Sequence, residues 1–487
     1  MDVDGLLPDN PHDQALLARV RPPGYLAPQP LTRYDLVVIG GGAAGLVSAM
    51  GAAGLGARVA LVERHRLGGD CLNSGCVPSK ALLRAAKAAH EARSAARFGV
   101  HAEPRVDFPA LMNRLRAERA ALARHDSAER LRAAGVHLFF GEATFVGPDA
   151  VSVGELTLRF RRAVIATGSS PLRSPGLDAL HTSDTIWGIE ELPSRLLVVG
   201  GGPVGVEMAQ AFARLGSAVT LLEAGPRLLP KDDPEAARRL TERLRREGVR
   251  VLTGARLGEV AAGLARIEGP EGPLELPMDA GLVAIGRRPS LDGLGLEQAG
   301  VALREGRLAL DERLRTTNRR VYAVGDVSGL APFTHGADAM ARAMLRNAFF
   351  PGGAPFLASR IPWTTWTDPE LAQLGPLSPA GARVITVELA EVDRPALDGE
   401  AEGFVRLHID DRDRLISATI LGPHAGDLIS ILSHQLSQNL PIRSLSEAVF
   451  PYPSYADALR RAADAANRQR LSPGVARLLR WFMRSWP

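Results

Sequence analysis

The sequence predicts an α/β protein with two copies of one strand–turn–helix–strand unit, followed by a separate α+β domain. The first copy is YDLVVIGGGAAGLVSAMGAAGLGARVALVE at 34–63, and the second is RLLVVGGGPVGVEMAQAFARLGSAVTLLE at 195–223. Each copy has the form of a Rossmann-like dinucleotide-binding unit. From about residue 355 the pattern changes to short alternating strands, in VITVELA, GFVRLHID and LISATILG, which is typical of an antiparallel sheet.

Each copy carries a G-x-G-x-x-G turn that opens a helix, and each ends in a glutamate at the same spacing. The first glycine permits the tight turn, the second lets the backbone approach a pyrophosphate, and the third lets the helix pack on the strand. These glycines are Gly40, Gly42 and Gly45 in the first copy and Gly200, Gly202 and Gly205 in the second. We expect the helix N-termini to hold phosphates and the closing glutamates, Glu63 and Glu223, to accept hydrogen bonds from ribose hydroxyls. The alternative is a doubly wound fold with glycine-rich turns and no ligand.

The second glutamate also predicts which nicotinamide nucleotide is used. A carboxylate at Glu223 repels the 2′-phosphate of NADPH, so NADH is the predicted electron donor. Arg227 lies close in the sequence and would soften that preference. NADPH therefore stays the alternative donor.

Three further segments complete the two nested domains. RRAVIATGSSP (161–171) and TTNRRVYAVGDVSG (316–329) are predicted strands that end in glycine turns, and MDAGLVAIGRRP (278–289) closes the second unit at Gly286. The predicted division is an N-terminal arm (1–33), a first dinucleotide domain (34–180 and 281–350), a second dinucleotide domain (181–280), the α+β domain (355–470) and a C-terminal tail (471–487).

Composition narrows the class of protein. The chain has 487 residues, 46% hydrophobic and 23% charged, with a net charge of +4. Its arginines alternate with glutamates along predicted helices, so no nucleic-acid partner is expected. No apolar run approaches the roughly 20 residues that span a bilayer, and residues 1–33 lack an apolar signal core, so we expect a cytoplasmic protein.

Cys71 and Cys76, the two cysteines of the chain, lie in GGDCLNSGCVPSK at 68–80. Zinc needs about four ligands, and His65 is the one histidine nearby, so no metal site is expected. A passive buried pair and a redox-active pair remain. Four residues separate the cysteines on a segment that enters a helix, so the sulfurs can meet, and the helix N-terminus with Lys80 would lower a thiolate pKa.

Five features in fixed order make the sequence resemble the flavoprotein pyridine nucleotide-disulfide oxidoreductases from about residue 34 to 465. They are the two glycine turns, the cysteine segment, the turn at 166–168 and the run at 322–326. The resemblance implies FAD in the first unit and a nicotinamide nucleotide in the second. It also implies a homodimer formed through the C-terminal dimerisation domain, which completes the partner's active site.

The resemblance assigns roles to individual residues. For FAD these are Gly40, Gly42, Gly45, Glu63, Lys80, Ala143, Thr167, Gly168, Ser169 and Asp326; for the nicotinamide nucleotide they are Gly200, Gly202, Gly205, Glu207, Glu223 and Gly286. Lys80 and Glu207 match a pair that meets beside the flavin ring. Cys76 becomes the thiolate at the flavin, and Cys71 attacks or coordinates the electron acceptor.

The C-terminal segment FPYPSYADAL (450–459) departs from the disulfide-reducing branches of that family. Tyr452 stands in place of a histidine, Ser454 in place of a threonine and Asp457 in place of a glutamate. Since tyrosine has a pKa of about 10 against about 6.5 for histidine, Tyr452 is a poor proton shuttle at neutral pH. F-P-Y resembles the mercuric reductase branch, although no third cysteine exists to pass a metal inward.

These observations leave three functions open. The leading one is an FAD enzyme that uses NAD(P)H to reduce a metal ion, or another small acceptor, through Cys71 and Cys76. A dihydrolipoamide dehydrogenase-type disulfide reductase is the second. A non-catalytic flavin-binding partner subunit is the third, and the intact cysteine segment argues against it.

The tail adds a separate feature. It interleaves apolar residues with Arg477, Arg480 and Arg484 and predicts a short basic amphipathic helix; the apolar residues are Leu478, Leu479, Trp481, Phe482 and Trp486. Packing on the dimer is the first expectation, and weak contact with a membrane surface is the alternative.

Overall fold

The computed structural model describes residues 6–7, 9–173, 176–470 and 473–485. The chain divides into two compact units. One extends to Pro226 and resumes over Glu247–Ala358, and the other comprises Arg227–Arg246 and the chain from Ser359 onward. The finer division of the first unit into flavin and nicotinamide domains stays a prediction.

The α-helices of the described residues are numbered in chain order. They are α1 (Pro11–Val20), α2 (Ala43–Gly54), α3 (Gly69–Asn73), α4 (Cys76–Ser94), α5 (Phe108–Leu122), α6 (Ala128–Ala133), α7 (Pro203–Leu215), α8 (Pro234–Arg246), α9 (Thr334–Phe349), α10 (Asp393–Leu397), α11 (Ala425–Ser437), α12 (Arg443–Glu447), α13 (Asp457–Gln469) and α14 (Pro473–Ser485).

The β-strands of the described residues are numbered in the same way. They are β1 (Tyr34–Ile39), β2 (Val59–Glu63), β3 (His137–Phe140), β4 (Ala143–Gly147), β5 (Ala150–Val153), β6 (Leu156–Ile165), β7 (Ser169–Pro171), β8 (His181–Thr182), β9 (Arg195–Val199), β10 (Ala218–Glu223), β11 (Arg250–Thr253), β12 (Arg256–Ala261), β13 (Leu264–Gly269), β14 (Gly272–Pro277), β15 (Ala280–Val283), β16 (Arg287–Pro289), β17 (Leu303–Arg304), β18 (Arg307–Leu308), β19 (Val321–Ala323), β20 (Trp363–Thr365), β21 (Glu370–Leu374), β22 (Arg383–Glu388), β23 (Phe404–Ile409) and β24 (Leu415–Gly422).

The first unit contains two sheets whose central strands are parallel and built around the repeated segment. In the seven-stranded sheet the order is β3-β2-β1-β6-β5-β4, and β19 also pairs with β6. In the five-stranded sheet the order is β11-β10-β9-β15-β8. Strands β1 and β9 are apolar almost throughout because helices cover parallel sheets on both faces. The predicted α/β architecture with two Rossmann-like units is confirmed.

The second unit is the α+β domain that the alternating pattern predicts. Its sheet is antiparallel in the order β20-β21-β24-β23-β22, and helices α11, α12 and α13 contribute to its core. Helix α8 also belongs to this unit, because Arg239 pairs with Glu388 at 2.7 Å and Arg406 pairs with Asp233 at 2.7 Å.

The N-terminal arm folds onto the first unit. Helix α1 buries Leu16 and Val20 completely, and its Asp13 carboxylate accepts a 2.7 Å hydrogen bond from Arg119 of α5. Arg119 is itself fully buried and donates to the backbone oxygen of Asn73 at 2.9 Å. An ion pair therefore joins the arm to the segment that carries the cysteines.

The predicted tail helix is present as α14, although Trp486 lies outside the described residues. Among the residues that the structure describes, no helix combines the length and the apolar character needed to cross a bilayer.

The buried ion pair of the arm predicts a stability effect. Asp13→Ala leaves the Arg119 guanidinium buried without its carboxylate, so the free energy of unfolding should fall by about 3–5 kcal/mol. Denaturant titration measures this change. Asp9→Ala, at an exposed position of the same arm, is the control and should stay within about 0.5 kcal/mol of the parent. Equal effects of the two substitutions would contradict the role given to Asp13.

Candidate active site

The two glycine turns have nearly the same backbone geometry. Gly40 has φ +105° and Gly200 has φ +113°, and a Cβ at these positions would lie 2.3 Å from the Ala166 oxygen and 2.4 Å from the Ala284 oxygen. The third glycines are equally constrained, because a Cβ at Gly45 or at Gly205 would meet the carbonyl oxygen of the first glycine at 1.8 Å. Each turn therefore depends on its first and third glycine.

The second glycine of each turn leaves the start of its helix open. Gly42 and Gly202 are the N-caps of α2 and α7, and within the described part of the chain no side chain caps either helix. A Cβ at Gly202 would meet no atom within 4 Å, and one at Gly42 would meet the Gly69 Cα at 3.6 Å. Backbone N–H groups at these helix ends are thus accessible to phosphate, and the residues fit a dinucleotide at both turns.

The closing glutamates accept hydrogen bonds from backbone N–H groups of the glycine turns. One Glu63 oxygen accepts from the Gly41 N–H at 2.6 Å, and one Glu223 oxygen accepts from the Gly201 N–H at 2.7 Å. Because each carboxylate has further lone pairs, both glutamates can still accept hydrogen bonds from ribose hydroxyls. Arg227, which was expected to soften the choice of nucleotide, donates to the carbonyl oxygens of Leu229 and other residues of its own loop.

The two cysteines lie together at a helix junction. Cys71 is in α3, Cys76 is the first residue of α4, and both are half-buried free thiols. The Cys71 thiol donates a hydrogen bond to the Cys76 sulfur. Gly75 makes this bend possible, because a Cβ there would lie 2.9 Å from the Asp70 oxygen. The structure thus brings the two sulfurs into contact.

This contact shifts the pKa values of the two thiols in opposite directions. The hydrogen bond from Cys71, helped by the Thr334 hydroxyl and the Lys80 charge, lowers the pKa of Cys76 to about 6 against the opposing effect of burial. The same hydrogen bond, together with burial, raises the pKa of Cys71. The reduced pair therefore carries a thiolate at Cys76 and keeps its proton at Cys71.

Lys80 and Glu207 form the ion pair that the family resemblance implies. The Lys80 ammonium lies 2.9 Å from a Glu207 oxygen, and the Glu207 side chain is almost fully buried. Lys80 is four residues after Cys76 in α4, so its charge sits one helical turn from the thiolate. Glu207 on α7 fixes the direction of that charge.

The remaining residues assigned to FAD and the nicotinamide nucleotide lie in the first unit. Ser169 donates to Asp326 at 2.8 Å, and Thr167 donates to the backbone oxygen of Ser290 at 2.7 Å. Gly168 and Gly286 have φ +70° and +120°, which glycine adopts without strain. Ala143 begins β4 and is buried.

Two side chains at the site were not predicted from the sequence. The Thr334 hydroxyl, at the start of α9, lies 3.2 Å from the Cys76 sulfur. The Arg287 guanidinium donates to the Ser169 hydroxyl at 2.8 Å and pairs with Asp70. Arg287 directly follows the predicted Gly286 turn, which was an available signal. Thr334 shows only the pattern of a helix start, and nothing in the sequence connects it to a cysteine.

The structure does not join Tyr452 to Asp457 as a hydrogen-bonded pair. The Tyr452 hydroxyl donates to Asp393 at 2.9 Å, whereas the Asp457 carboxylate accepts from Arg460 and Arg461 of its own helix. The hydrogen bond to Asp393 raises the pKa of the exposed Tyr452 phenol. The buried Ser454 hydroxyl has no hydrogen-bond partner among the described residues.

Comparison with protein-family models gives two matches. Residues 34–343 match the pyridine nucleotide-disulphide oxidoreductase model, and residues 361–463 match the dimerisation domain of the same proteins. The two matches together cover both dinucleotide turns, the cysteine segment and the C-terminal sheet.

Two curated relatives span nearly the whole chain. A mercuric reductase from Streptomyces lividans is 37% identical over 464 residues, which cover 89% of this chain and 96% of the relative. A dihydrolipoyl dehydrogenase from Thermus scotoductus is 35% identical over 466 residues, which cover 90% and 98%.

Solved structures agree with these matches. LpdA from Mycobacterium tuberculosis aligns with a TM-score of 0.82 at 26% identity, over 90% of this chain and 100% of that chain. The Cu(II) complex of RclA, an HOCl-induced flavoprotein disulfide reductase from Escherichia coli, aligns with a TM-score of 0.78 at 26% identity, over 89% and 100%.

The shared proton of the cysteine pair predicts a pH dependence. The Cys76 thiolate should form above a midpoint near pH 6 and be lost as the pH falls through it. The alkylation rate of Cys76 against pH, followed by mass spectrometry, measures this midpoint. Cys71→Ala should raise the midpoint most, because the Cys71 hydrogen bond is the largest cause of the shift.

Thr334 offers a matched pair for the same measurement. Thr334→Val removes the hydroxyl at constant shape and should raise the midpoint, whereas Thr334→Ser keeps the hydroxyl and should leave it near the parent value. A midpoint near the ordinary thiol pKa of about 8.5 in the parent protein would rule out this account of the pair.

Proposed function

Because the chain belongs to the pyridine nucleotide-disulphide oxidoreductase family, which is FAD-dependent and takes electrons from NAD(P)H, we propose that it passes those electrons through Cys71 and Cys76 to a soft metal ion. The observation that carries the choice of acceptor is the hydrogen bond between Tyr452 and Asp393. The dimerisation-domain match indicates a homodimer.

The dithiol is the working centre of the proposal. FAD, held at the turn of Gly40, Gly42 and Gly45, would supply two-electron transfer from NAD(P)H to the disulfide of Cys71 and Cys76. Reduction of that disulfide gives a Cys76 thiolate and a Cys71 thiol that holds one proton. Lys80, oriented by Glu207, supplies positive charge beside the new thiolate.

The proton on Cys71 distinguishes the two classes of acceptor. Attack on a disulfide needs that proton removed and the leaving sulfur protonated, which histidine does well and tyrosine does not. Asp393 raises the pKa of Tyr452 further, so this tyrosine holds its own proton at neutral pH. A soft metal ion needs no such base, because it displaces the thiol proton when it binds.

The electron balance of the metal reaction is simple. Cys71 and Cys76 give two electrons to the bound ion and close to the disulfide, so one Hg(II) becomes Hg(0), or two Cu(II) become two Cu(I). The Cys71 proton passes to water when the ion binds. In the homodimer we place the partner subunit's Tyr452 beside Cys71, as the family resemblance implies, where its oxygen can contact the ion.

Two relatives support a metal acceptor. One of the most similar curated proteins is a mercuric reductase, and RclA was solved as a Cu(II) complex. The dihydrolipoyl dehydrogenase relative supports the second candidate, disulfide reduction, which would require Tyr452 to do the work of a histidine. A non-catalytic role predicts that Cys76→Ser leaves the biological effect unchanged.

A panel of acceptors tests the proposal. The FAD-loaded protein is reduced anaerobically with NADH and then mixed with Hg(II), Cu(II), lipoamide, oxidised glutathione or a quinone. Hg(II) or Cu(II) should restore the oxidised flavin absorbance at least tenfold faster than either disulfide, and Cys76→Ser should abolish the difference. Fastest reoxidation by lipoamide would establish the disulfide reductase instead.

Substitution of the tyrosine tests its part separately. Tyr452→His should raise the rate with lipoamide by about 100-fold, the usual contribution of a positioned general base. Tyr455→Phe is the matched control, since Tyr455 makes the same type of contact with Asp398 at 3.0 Å. If Tyr452→His gains nothing with lipoamide while the protein stays dimeric and flavin-loaded, the argument from Tyr452 is lost.

The choice of nucleotide follows from Glu223, and we propose NADH as the preferred donor. Glu223→Gln keeps one acceptor for the Gly201 N–H but removes the charge that repels a 2′-phosphate. The ratio of kcat/KM for NADH to that for NADPH should fall by about tenfold, mainly through KM for NADPH. Steady-state kinetics with both nucleotides measures the ratio, and an unchanged ratio would show that the selectivity lies elsewhere.

A further inference from the structure

Helix α14 presents nearly all of its surface to solvent. Residues 474–485 are exposed, apart from the half-exposed Ala476. Large apolar side chains are among the most exposed of the described residues, with Leu478 at 63%, Trp481 at 64% and Met483 at 76%. Isolated apolar residues on a surface need no explanation, but a continuous set on one helix marks an interaction surface.

Helix α14 is amphipathic, with its large apolar side chains on one face and its arginines on the opposite face. At 3.6 residues per turn, the large apolar residues fall within an arc of about 200° and the arginines within about 60° on the opposite side. The apolar residues are Val475, Leu478, Leu479, Trp481, Phe482 and Met483, and the arginines are Arg477, Arg480 and Arg484. Trp481 lies at the border between the two faces, where its amphipathic ring suits the boundary between lipid and water.

The positive charge of α14 and the residues before it indicates which kind of surface the helix binds. No aspartate or glutamate occurs anywhere from residue 465 to 487, so all five ionised side chains of this stretch are arginines. Arginines beside a broad apolar face match an anionic lipid surface, which offers phosphates at the level of the guanidinium groups and acyl chains below them.

The extent of the dimerisation domain argues against a second copy as the occupant. The match to that domain ends at residue 463, before α14 begins. The part of the chain that matches the dimerisation domain therefore does not include this helix.

We propose that α14 binds an anionic membrane surface, lying in the plane of the interface with its apolar face at the acyl boundary and its arginines among the headgroups. The site takes anionic phospholipid, and it holds the enzyme at the membrane without crossing it. This inference is independent of which electron acceptor the dithiol reduces.

Vesicle binding tests it with the FAD-loaded dimer. Sedimentation is compared for vesicles of phosphatidylcholine alone and of phosphatidylcholine with phosphatidylglycerol. The apparent affinity should be at least tenfold higher for the anionic vesicles and should fall with added salt. Arg480→Gln should lower it roughly fivefold, since each basic residue near an anionic surface contributes about that factor. Arg304→Gln, at an exposed arginine of β17, should not change it.

The apolar face has its own matched control. Leu478→Ser with Trp481→Ser should abolish vesicle binding, whereas Leu26→Ser with Leu397→Ser, at residues 90% and 68% exposed elsewhere, should leave it intact. Turnover without vesicles should be the same in all four variants, which shows that they fold.

Two outcomes would overturn the proposal. The first is equal binding of the parent to both kinds of vesicle, or binding that survives the change at Leu478 and Trp481. The second is dissociation of the dimer by that change with no vesicle binding by the parent, which would assign α14 to contact between subunits.

Discussion

The hydrogen bond from Cys71 to Cys76 is the interaction on which the rest of the site depends. It places the negative charge on Cys76 and the proton on Cys71, and the other charged groups act on that asymmetry. Lys80 stabilises the thiolate, and Glu207 keeps Lys80 in place. In the function that we propose, the acceptor is decided by how the proton on Cys71 is removed, so the proposal gives the side chain at 452 more weight in that choice than either dinucleotide turn.

The N-terminal arm helps to hold the segment that carries the cysteines. The helix α1 lies before the region that matches the family model, yet its Asp13 is joined through Arg119 to the backbone of Asn73, two residues after Cys71. Both ionic groups are buried, so removal of either partner is costly, and Arg119 links α1, α3 and α5 through these two contacts. The arm is thus part of the framework of the dithiol rather than an appendage.

The sequence predicted features whose cause is local. The third glycine of each turn follows from a steric contact five residues away, whereas the first glycine meets a backbone oxygen of a distant segment and is recognised by the repeated motif. The antiparallel strands of the second unit follow from alternation. Contacts between distant segments could not be predicted from the sequence. Nothing near Thr334 indicates a cysteine as its partner, and nothing near Asp393 indicates a tyrosine. Asp457 is an intermediate case, because the arginines three and four residues later on the same helix compete for its carboxylate, and that pattern is visible in DALRR.

The closing glutamates have a consequence for the evolution of nucleotide preference. Glu223 builds the turn through the Gly201 N–H and also accepts from the Gly225 N–H, and Glu63 repeats the arrangement with Gly41 and His65. The carboxylate to which we assign the choice between nucleotides therefore also holds the loop in which it lies. A lineage that moved toward the phosphorylated donor by losing this carboxylate would give up hydrogen bonds inside the loop with the same substitution, so each gain in the use of that donor would carry a loss of loop stability.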